Sequence, residues 1–268
     1  MQNLTDEQAQ FADRALKFMA QMDALFFDRV GKLNGGIEIE TKSFNYDSAD
    51  NEVKVARGAV IEKAGRLTII TKKVASELQQ ETVWSRFFAL DAHPKTPLCG
   101  MLHAAFLMQF RADGTSSLGG WLDVMPATRI EEDLAHLKQT MDDVYAKYGI
   151  DDTPRRRLSP DSHSDDDPGA RWRRRSAGVG GSFYGYPMLS VTEENYSFMT
   201  EAYEGFVDAY LTQVEMRKDD AYGAEDLAAQ DAMRRNWLED QLFADPYSKS
   251  IVPYEVWSLT NVPPTVKF

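Results

Sequence analysis

Two histidines lie ten residues apart in the stretch HPKTPLCGMLHAAFLMQF, residues 93–110. Imidazole can serve as a general base, a general acid or a metal ligand near neutral pH. Side chains alternate between the two faces of a strand, so His103 shares a mixed face with Ala105 and Gln109, opposite a continuously apolar one. Two interpretations follow for His103: a residue on the floor of a cleft, or a hydrogen-bonded histidine of the core.

The other reactive residue types are sparse. The remaining histidines are His136 and His163, and Cys99 is the single cysteine. None of them has the spacing of a known metal site, and the chain lacks the phosphate-loop, dinucleotide, zinc-protease and nucleophile-elbow motifs. The residues therefore predict no metal site and no cofactor of the kinds that leave a sequence signature.

Composition narrows the class of protein. The chain has 268 residues, 43% of them hydrophobic, and a net charge of −12. A negative field of this size repels polyanions, so neither nucleic acid nor an anionic membrane is an expected partner. There is no uninterrupted apolar stretch long enough to span a bilayer and no secretory signal at the start, so a cytoplasmic protein is expected.

The hydrophobic period changes along the chain. A capping box at Thr5 starts an amphipathic helix that ends at Gly35-Gly36. Alternating segments then predict six strands: IEIET, EVKVARGAVIE, RLTIIT, residues 82–90, 100–110 and 117–125, the last two joined by a turn at Asp113-Gly114. Helices follow after a capping box at Thr128–Glu131 and over 193–217 and 224–244, and SIVPYEVWSLT (250–260) reads as a final strand. The expected architecture is a single α+β domain over residues 1–268, with a large, mostly antiparallel sheet flanked by helices.

Six segments, in order, resemble the aerobic (oxygen-dependent) coproporphyrinogen III oxidase family. They are GAVIEKAG (58–65), HPKTP (93–97) with His103 ten residues after His93, LGGWLDVMP (118–126), GVGGSFY (178–184), RRNWLEDQLFAD (234–245) and NVPP (261–264). The resemblance implies a homodimer that uses molecular oxygen without a metal or organic cofactor. Its implied reaction is the oxidative decarboxylation of propionate side chains in tetrapyrrole and heme biosynthesis. In the implied mechanism, an aspartate takes a proton from a pyrrole N–H group.

The resemblance also assigns residues. It implies catalytic roles for His103, Asp123 and Asp245, and substrate-binding roles for His93 and Glu239. Glu62 and Lys63 match the family's Glu-Lys pair. From the residues themselves, Asp123 has the alternative of a turn-capping carboxylate, and Asp245 that of a residue at a helix end. His93, which Pro94 restrains to an extended backbone, has the alternative of a structural role.

A charged, proline-containing segment, residues 151–175, interrupts the second half without any periodicity, which predicts a flexible loop. Its arginines include Arg173, Arg174 and Arg175. They suggest a lid whose guanidinium groups bind substrate carboxylates, and the alternative is a solvated loop whose arginines pair with its own aspartates.

The sequence departs from the family pattern next to His103. Ala105 and Leu107 stand where the family has Asn and Arg. The expected ligand is therefore a tetrapyrrole or another carboxylated aromatic molecule, with an altered substrate as one option. Two further alternatives stay open: a non-catalytic tetrapyrrole carrier, and an enzyme resembling the bilin reductases on the same fold.

Overall fold

Seven strands form one antiparallel sheet in which every strand pairs with its neighbours in the chain. The computed structural model describes residues 4–73, 81–151, 179–183, 189–239 and 252–268. The strands are β1 (Ile39–Asn45), β2 (Ala49–Ala56), β3 (Ile61–Thr71), β4 (Trp84–Pro94), β5 (Met101–Phe110), β6 (Ser116–Met125) and β7 (Gly181–Ser182). The helices of the described residues are α1 (Asp6–Asn34), α2 (Glu131–Lys147), α3 (Glu193–Arg217), α4 (Ala224–Trp237) and α5 (Tyr254–Thr260). The α+β architecture expected from the sequence is confirmed.

The first helix begins and ends where the sequence predicts. The Thr5 hydroxyl accepts a hydrogen bond from the Gln8 backbone N–H, and the Gln8 side chain accepts one from the Thr5 N–H, which completes a capping box. Gly35 ends the helix in the left-handed conformation, with φ at 70°. A side chain is strained there, so glycine is the residue that stops the helix.

One face of the sheet is the main core. Helices α1 and α3 cover it with large apolar side chains, and α2 packs against α3. Leu102, Ala104 and Phe106 of β5 point into this core, as the alternation predicts. Tyr203 and Tyr210 of α3 are fully buried there, and their hydroxyls donate to the carbonyls of Ala104 and Gly100. Satisfied polar ends allow these aromatic rings to be buried without an orphan hydroxyl.

The opposite face carries His103 and is covered in part by the C-terminal residues. Helix α5 lies over β2 and β3, with Val256 packed against Leu67 and Ala89. The approach is close at Gly65, where a Cβ atom would lie 2.7 Å from the Cα atom of Thr260. Glycine at this point of β3 allows the end of α5 to rest directly on the sheet.

Three local predictions were wrong. The residues expected to form a final strand instead contain α5, with Pro253 at its N-cap, because aromatic and β-branched residues can follow a helical period when tertiary packing favours it. The segment EVKVARGAVIE belongs to two strands, since β2 ends at Ala56 and β3 begins at Ile61. Thr128 does not cap α2. The N-cap residue is Ile130, and the Thr128 hydroxyl donates to Asp226.

Candidate active site

Three polar side chains lie side by side across the middle of the sheet. Asp91 of β4 is directly opposite His103 of β5, and His103 is directly opposite Asp123 of β6. Directly opposed residues of antiparallel strands have Cβ atoms about 5 Å apart and point to the same face. The register therefore places a carboxylate on each side of His103.

Asp91 fixes the orientation of the imidazole. Its Oδ1 atom lies 2.7 Å from Nδ1 of His103, and Asp91 is completely buried whereas the His103 side chain is 16% exposed. A carboxylate oxygen accepts, so the proton of the neutral ring belongs on Nδ1, which leaves Nε2 as an unprotonated acceptor. No hydrogen bond to Nε2 is formed within the described residues. An imidazole of this kind can take a proton from a bound molecule.

A chain of hydrogen bonds supports Asp91 from behind. The indole N–H of Trp237 donates to Oδ1 of Asn261 at 2.9 Å, and the Asn261 amide donates to Oδ1 of Asp91 at 2.9 Å. The Trp237 ring also lies against His103, with 5.7 Å between the ring centroids. Partners of this kind fix a side-chain conformation before any ligand arrives. The second oxygen of Asp91 is buried and has no hydrogen-bond partner among the described residues, which is a feature typical of functional sites.

Lys63 connects the sheet to the C-terminal residues that supply Asn261. Its buried Nζ atom donates to the carbonyls of Ser258, at 3.0 Å, and Val262, at 2.5 Å. The pKa of the Lys63 amine is lowered to about 8, mainly by burial and also by nearby Arg57, while Asp91 opposes the shift. This lysine therefore holds α5 and the segment that follows it on the sheet.

Glu62, adjacent to Lys63, binds a different helix. A register irregularity lies between Ile61 and Lys63, and the Glu62 carboxylate pairs with the buried guanidinium of Arg234 on α4 at 2.5 Å. Bulged strands re-aim their side chains in this way. The Glu-Lys pair noted in the sequence thus attaches two C-terminal elements to one strand.

His93 is beside Lys63 rather than on the accessible part of the face. The two residues are directly opposite in β4 and β3, and His93 is only 1% exposed. Burial, followed by the positive charges of Lys63 and Arg234, lowers the pKa of His93 well below its usual value. The Asn261 backbone opposes this shift weakly, yet neither ring nitrogen has a partner of good hydrogen-bond geometry among the described residues. The histidine is therefore neutral and lies beneath the site.

Asp123 is half-buried at the side of His103 that faces β7. Its Oδ1 atom accepts from the backbone N–H groups of Val179, at 3.1 Å, and Gly180, at 3.4 Å. The carboxylate therefore anchors the segment that enters β7, while its position next to His103 also puts it within reach of a bound molecule. Both roles considered from the sequence are compatible with this placement.

Glu239, the last predicted site residue that the structure describes, does not join this row. Glu239 is exposed just beyond the end of α4. Asp245, Arg173, Arg174 and Arg175, like most of the predicted loop at 151–175, lie outside the described residues. Sequence reasoning missed Asp91, Trp237 and Asn261. Asp91 had a readable signal, since a lone acid in the apolar run FFALDAHP needs a partner when it is buried.

Within the part of the chain that the structure describes, no group of three or more histidine, cysteine or carboxylate side chains is arranged to hold a metal ion. Over the same residues, no helix combines the length and apolar character needed to cross a bilayer.

Both the fold and the sequence of this chain are similar to those of known proteins. The fold is similar to that of phytochromobilin synthase from tomato, solved in complex with biliverdin. The TM-score is 0.56 at 14% sequence identity, and the match covers 88% of this chain and 79% of the tomato protein. The sequence model of the coproporphyrinogen III oxidase family matches residues 14–250, which is most of the chain. The chain therefore belongs to the coproporphyrinogen III oxidase family.

Proposed function

We propose that this protein is an oxygen-dependent oxidoreductase, without a bound cofactor, that oxidatively decarboxylates propionate side chains of a tetrapyrrole or a related carboxylated aromatic molecule. The observation that carries the proposal is the His103–Asp91 pair, held by Asn261 and Trp237 on a partly open sheet face whose floor is apolar. Family membership and the shared fold support a tetrapyrrole as the ligand.

The proposed reaction begins with the transfer of a proton from a pyrrole nitrogen. Each propionate side chain reacts with one molecule of oxygen to give a vinyl group, carbon dioxide and hydrogen peroxide, a two-electron oxidation of the side chain. Removal of a pyrrole N–H proton makes the ring electron-rich enough to donate electrons to oxygen. We propose that the row containing His103 and Asp123 supplies the base that removes this proton, since a positioned base accelerates such a transfer by about 100-fold to 10,000-fold.

Residues outside this row complete the proposal. Asp245 is proposed as a second carboxylate for the pyrrole nitrogens, with Glu239 and His93 supporting the bound ligand. Arg173, Arg174 and Arg175 are proposed to bind substrate carboxylates. A homodimer in the cytoplasm is the proposed form of the protein.

The test is an oxygen-jump experiment. The protein is incubated with coproporphyrinogen III without oxygen, air is admitted, and carbon dioxide and the vinyl product are measured. We expect release only after air, and a rate at least about 100-fold lower in His103→Gln. His136→Gln, which changes an exposed histidine of α2, is the matched control and keeps the full rate. Equal rates in wild type and His103→Gln would remove His103 from the mechanism. Tight porphyrin binding without turnover would favour a carrier.

A second candidate is reduction of a linear tetrapyrrole, which the similarity to the biliverdin-bound tomato structure favours. The discriminating assay supplies biliverdin and reduced ferredoxin under nitrogen and follows the visible absorption of the bilin. Loss of the biliverdin band, together with no carbon dioxide from coproporphyrinogen III, would replace the decarboxylase proposal with this one.

A further inference from the structure

A second polar row crosses the same sheet face at the other end of the strands. Ser85 of β4, Gln109 of β5 and Ser117 of β6 are directly opposite one another. The Gln109 amide donates to the Ser85 hydroxyl at 3.3 Å. Gln109 is six residues from His103 along β5, which corresponds to about 20 Å at the rise of an extended strand. The face therefore carries polar groups at both ends.

The guanidinium of Arg111 lies over this second row. Its Nη2 atom donates to the Ser117 hydroxyl at 2.6 Å, and its Nη1 atom makes a longer contact of 3.4 Å with the hydroxyl of Thr115. Its Nε atom is buried and has no hydrogen-bond partner among the described residues. The nearest acid in the chain, Asp113, uses its Oδ1 atom to accept from the backbone and hydroxyl of Thr115.

Arg111 has no close counterion among the described residues. Hydrogen bonds from Thr115, and to a smaller extent the charge of Arg111, lower the pKa of the exposed Asp113 carboxyl, but the Arg111 and Asp113 side chains form no ion pair. Arg111 makes no ion pair within the described residues, although the chain has a net charge of −12 and most of its described arginines pair with acids. Arginine keeps its charge at every physiological pH, and its planar fork matches the geometry of a carboxylate. A half-buried guanidinium that forms no ion pair is suited to an anionic group brought by a ligand.

The surface between the two rows is apolar. Five side chains and one glycine form it: Phe87, Ala89, Ala105, Leu107 and Trp121, with Gly119 beside Leu107 on β6. Ala89 and Ala105 are fully buried and Phe87 also packs against Trp257, so the accessible part of this floor consists of the partly buried Phe87, Leu107 and Trp121. A flat aromatic ligand can lie on such a floor, because apolar and aromatic contacts require no polar partner.

We infer that Arg111, with Ser117 and Gln109, is a carboxylate-binding subsite that sets the orientation of the substrate. The ring system lies on the apolar floor, one acidic side chain is held by Arg111, and the opposite part of the molecule reaches His103. This inference rests on the proposed function, since it specifies how an acidic tetrapyrrole is oriented at that site. It makes Arg111 a specificity-determining residue and assigns it no role in the chemical step.

The experiment compares free acids with esters. Binding of coproporphyrin III and its tetramethyl ester, and of biliverdin and its dimethyl ester, is measured by quenching of tryptophan fluorescence. We expect Arg111→Gln to weaken binding of the free acid by about tenfold or more while the ester is unaffected, since one charge-assisted contact corresponds to roughly this factor. Arg111→Lys should recover part of the loss. Arg129→Gln, at an exposed arginine paired with Glu131, is the matched control.

Each outcome bears on a different statement. Equal weakening of acid and ester in Arg111→Gln, or unchanged binding of the acid, would overturn the subsite while leaving the proposed function intact. Failure of the wild-type protein to bind either acid would overturn the proposed function and the subsite with it. Thermal unfolding of each variant verifies that a loss of binding is not a loss of fold.

Discussion

The Nδ1 atom of His103 lies 2.7 Å from the Oδ1 atom of Asp91, and the two residues face each other directly across β5 and β4. Asp91 is fully buried and His103 is partly exposed, so the pair points from the interior of the protein toward its accessible face. The carboxylate selects the tautomer and the imidazole presents its other nitrogen outward. This relationship, rather than the spacing of His93 and His103 along the chain, defines the candidate site.

Replacing Asp91 by asparagine tests whether the carboxylate orients His103. The amide has nearly the same shape, but it can present an N–H group to Nδ1 and thereby select the wrong tautomer. We expect the turnover rate to fall by about 100-fold or more while the substrate still binds. The measurement is the rate and the KM of oxygen-dependent carbon dioxide release. The control is Asp219→Asn at an exposed position after α3, and equal rates in the two variants would refute the orienting role.

The Trp237→Phe substitution tests the indole N–H of Trp237, which donates to both Oδ1 and the backbone carbonyl of Asn261. Phenylalanine keeps an aromatic ring against His103 but removes the N–H donor to Asn261. We expect the free energy of unfolding to fall by about 1 kcal/mol and activity to fall by about tenfold.

A second tryptophan provides the matched comparison for that variant. The buried indole N–H of Trp257 has no partner among the described residues, while its ring packs against Phe87. Trp257→Phe should therefore keep both stability and activity. Denaturant unfolding measures the stabilities, and a larger loss of activity in Trp257→Phe than in Trp237→Phe would contradict the assignment.

Lys63 should give the protein a distinctive pH dependence. The pKa of its amine is about 8 in the folded protein, compared with the usual lysine value of 10.5, which we take for the unfolded chain. Between these values the unfolded chain binds a proton that the folded chain has released, so the free energy of unfolding rises with pH across this window. Below about pH 8 both states are protonated and the burial cost is constant.

Comparison with Lys63→Met isolates this contribution. The stability of wild type relative to Lys63→Met should increase by an amount on the order of 3 kcal/mol between about pH 8 and 10.5. Lys42→Met, at an exposed position on β1, should show no such trend. Urea unfolding over this pH range measures both differences, and a constant difference for Lys63→Met would show that its folded pKa is not lowered.

The Glu62–Arg234 pair should be coupled in a double-mutant cycle. The Arg234 side chain is only 7% exposed, so Glu62→Gln leaves a buried cation without its carboxylate. We expect Glu62→Gln to lower the free energy of unfolding by about 2 kcal/mol. The double variant, Glu62→Gln with Arg234→Met, should lose at least about 1 kcal/mol less than the sum of the losses in the two single variants. Glu131→Gln, at the exposed pair with Arg129, should change stability by less than about 0.5 kcal/mol. Additive losses would show that the pair does not interact in solution.

Part of the architecture is local and was readable from the sequence. The capping box at Thr5 and the glycine at position 35 set the bounds of α1, and Asp113-Gly114 forms the hairpin turn between β5 and β6. The alternation in β5 correctly separates Leu102 and Ala104 from His103. These features depend on neighbouring residues only, which is why a linear pattern is sufficient to predict them.

The conformation of the C-terminal region could not be predicted from local sequence patterns. Residues 254–260 have strand-like composition and form a helix, because their packing on the sheet at Gly65 decides between two conformations of similar local preference. The bulge between Ile61 and Lys63, which directs Glu62 and Lys63 to different elements, likewise has no clear signal in the sequence.

The sequence by itself determined which face of β5 carries His103, and that face carries the candidate site. Only the tertiary structure decided what His103 contacts there. Its partner Asp91 depends on the register between two strands, and Asn261, which supports Asp91, is 170 residues away along the chain. Alternation assigns a side chain to a face but contains no information on register or on distant packing, so the residues that position the histidine became visible only in the folded chain.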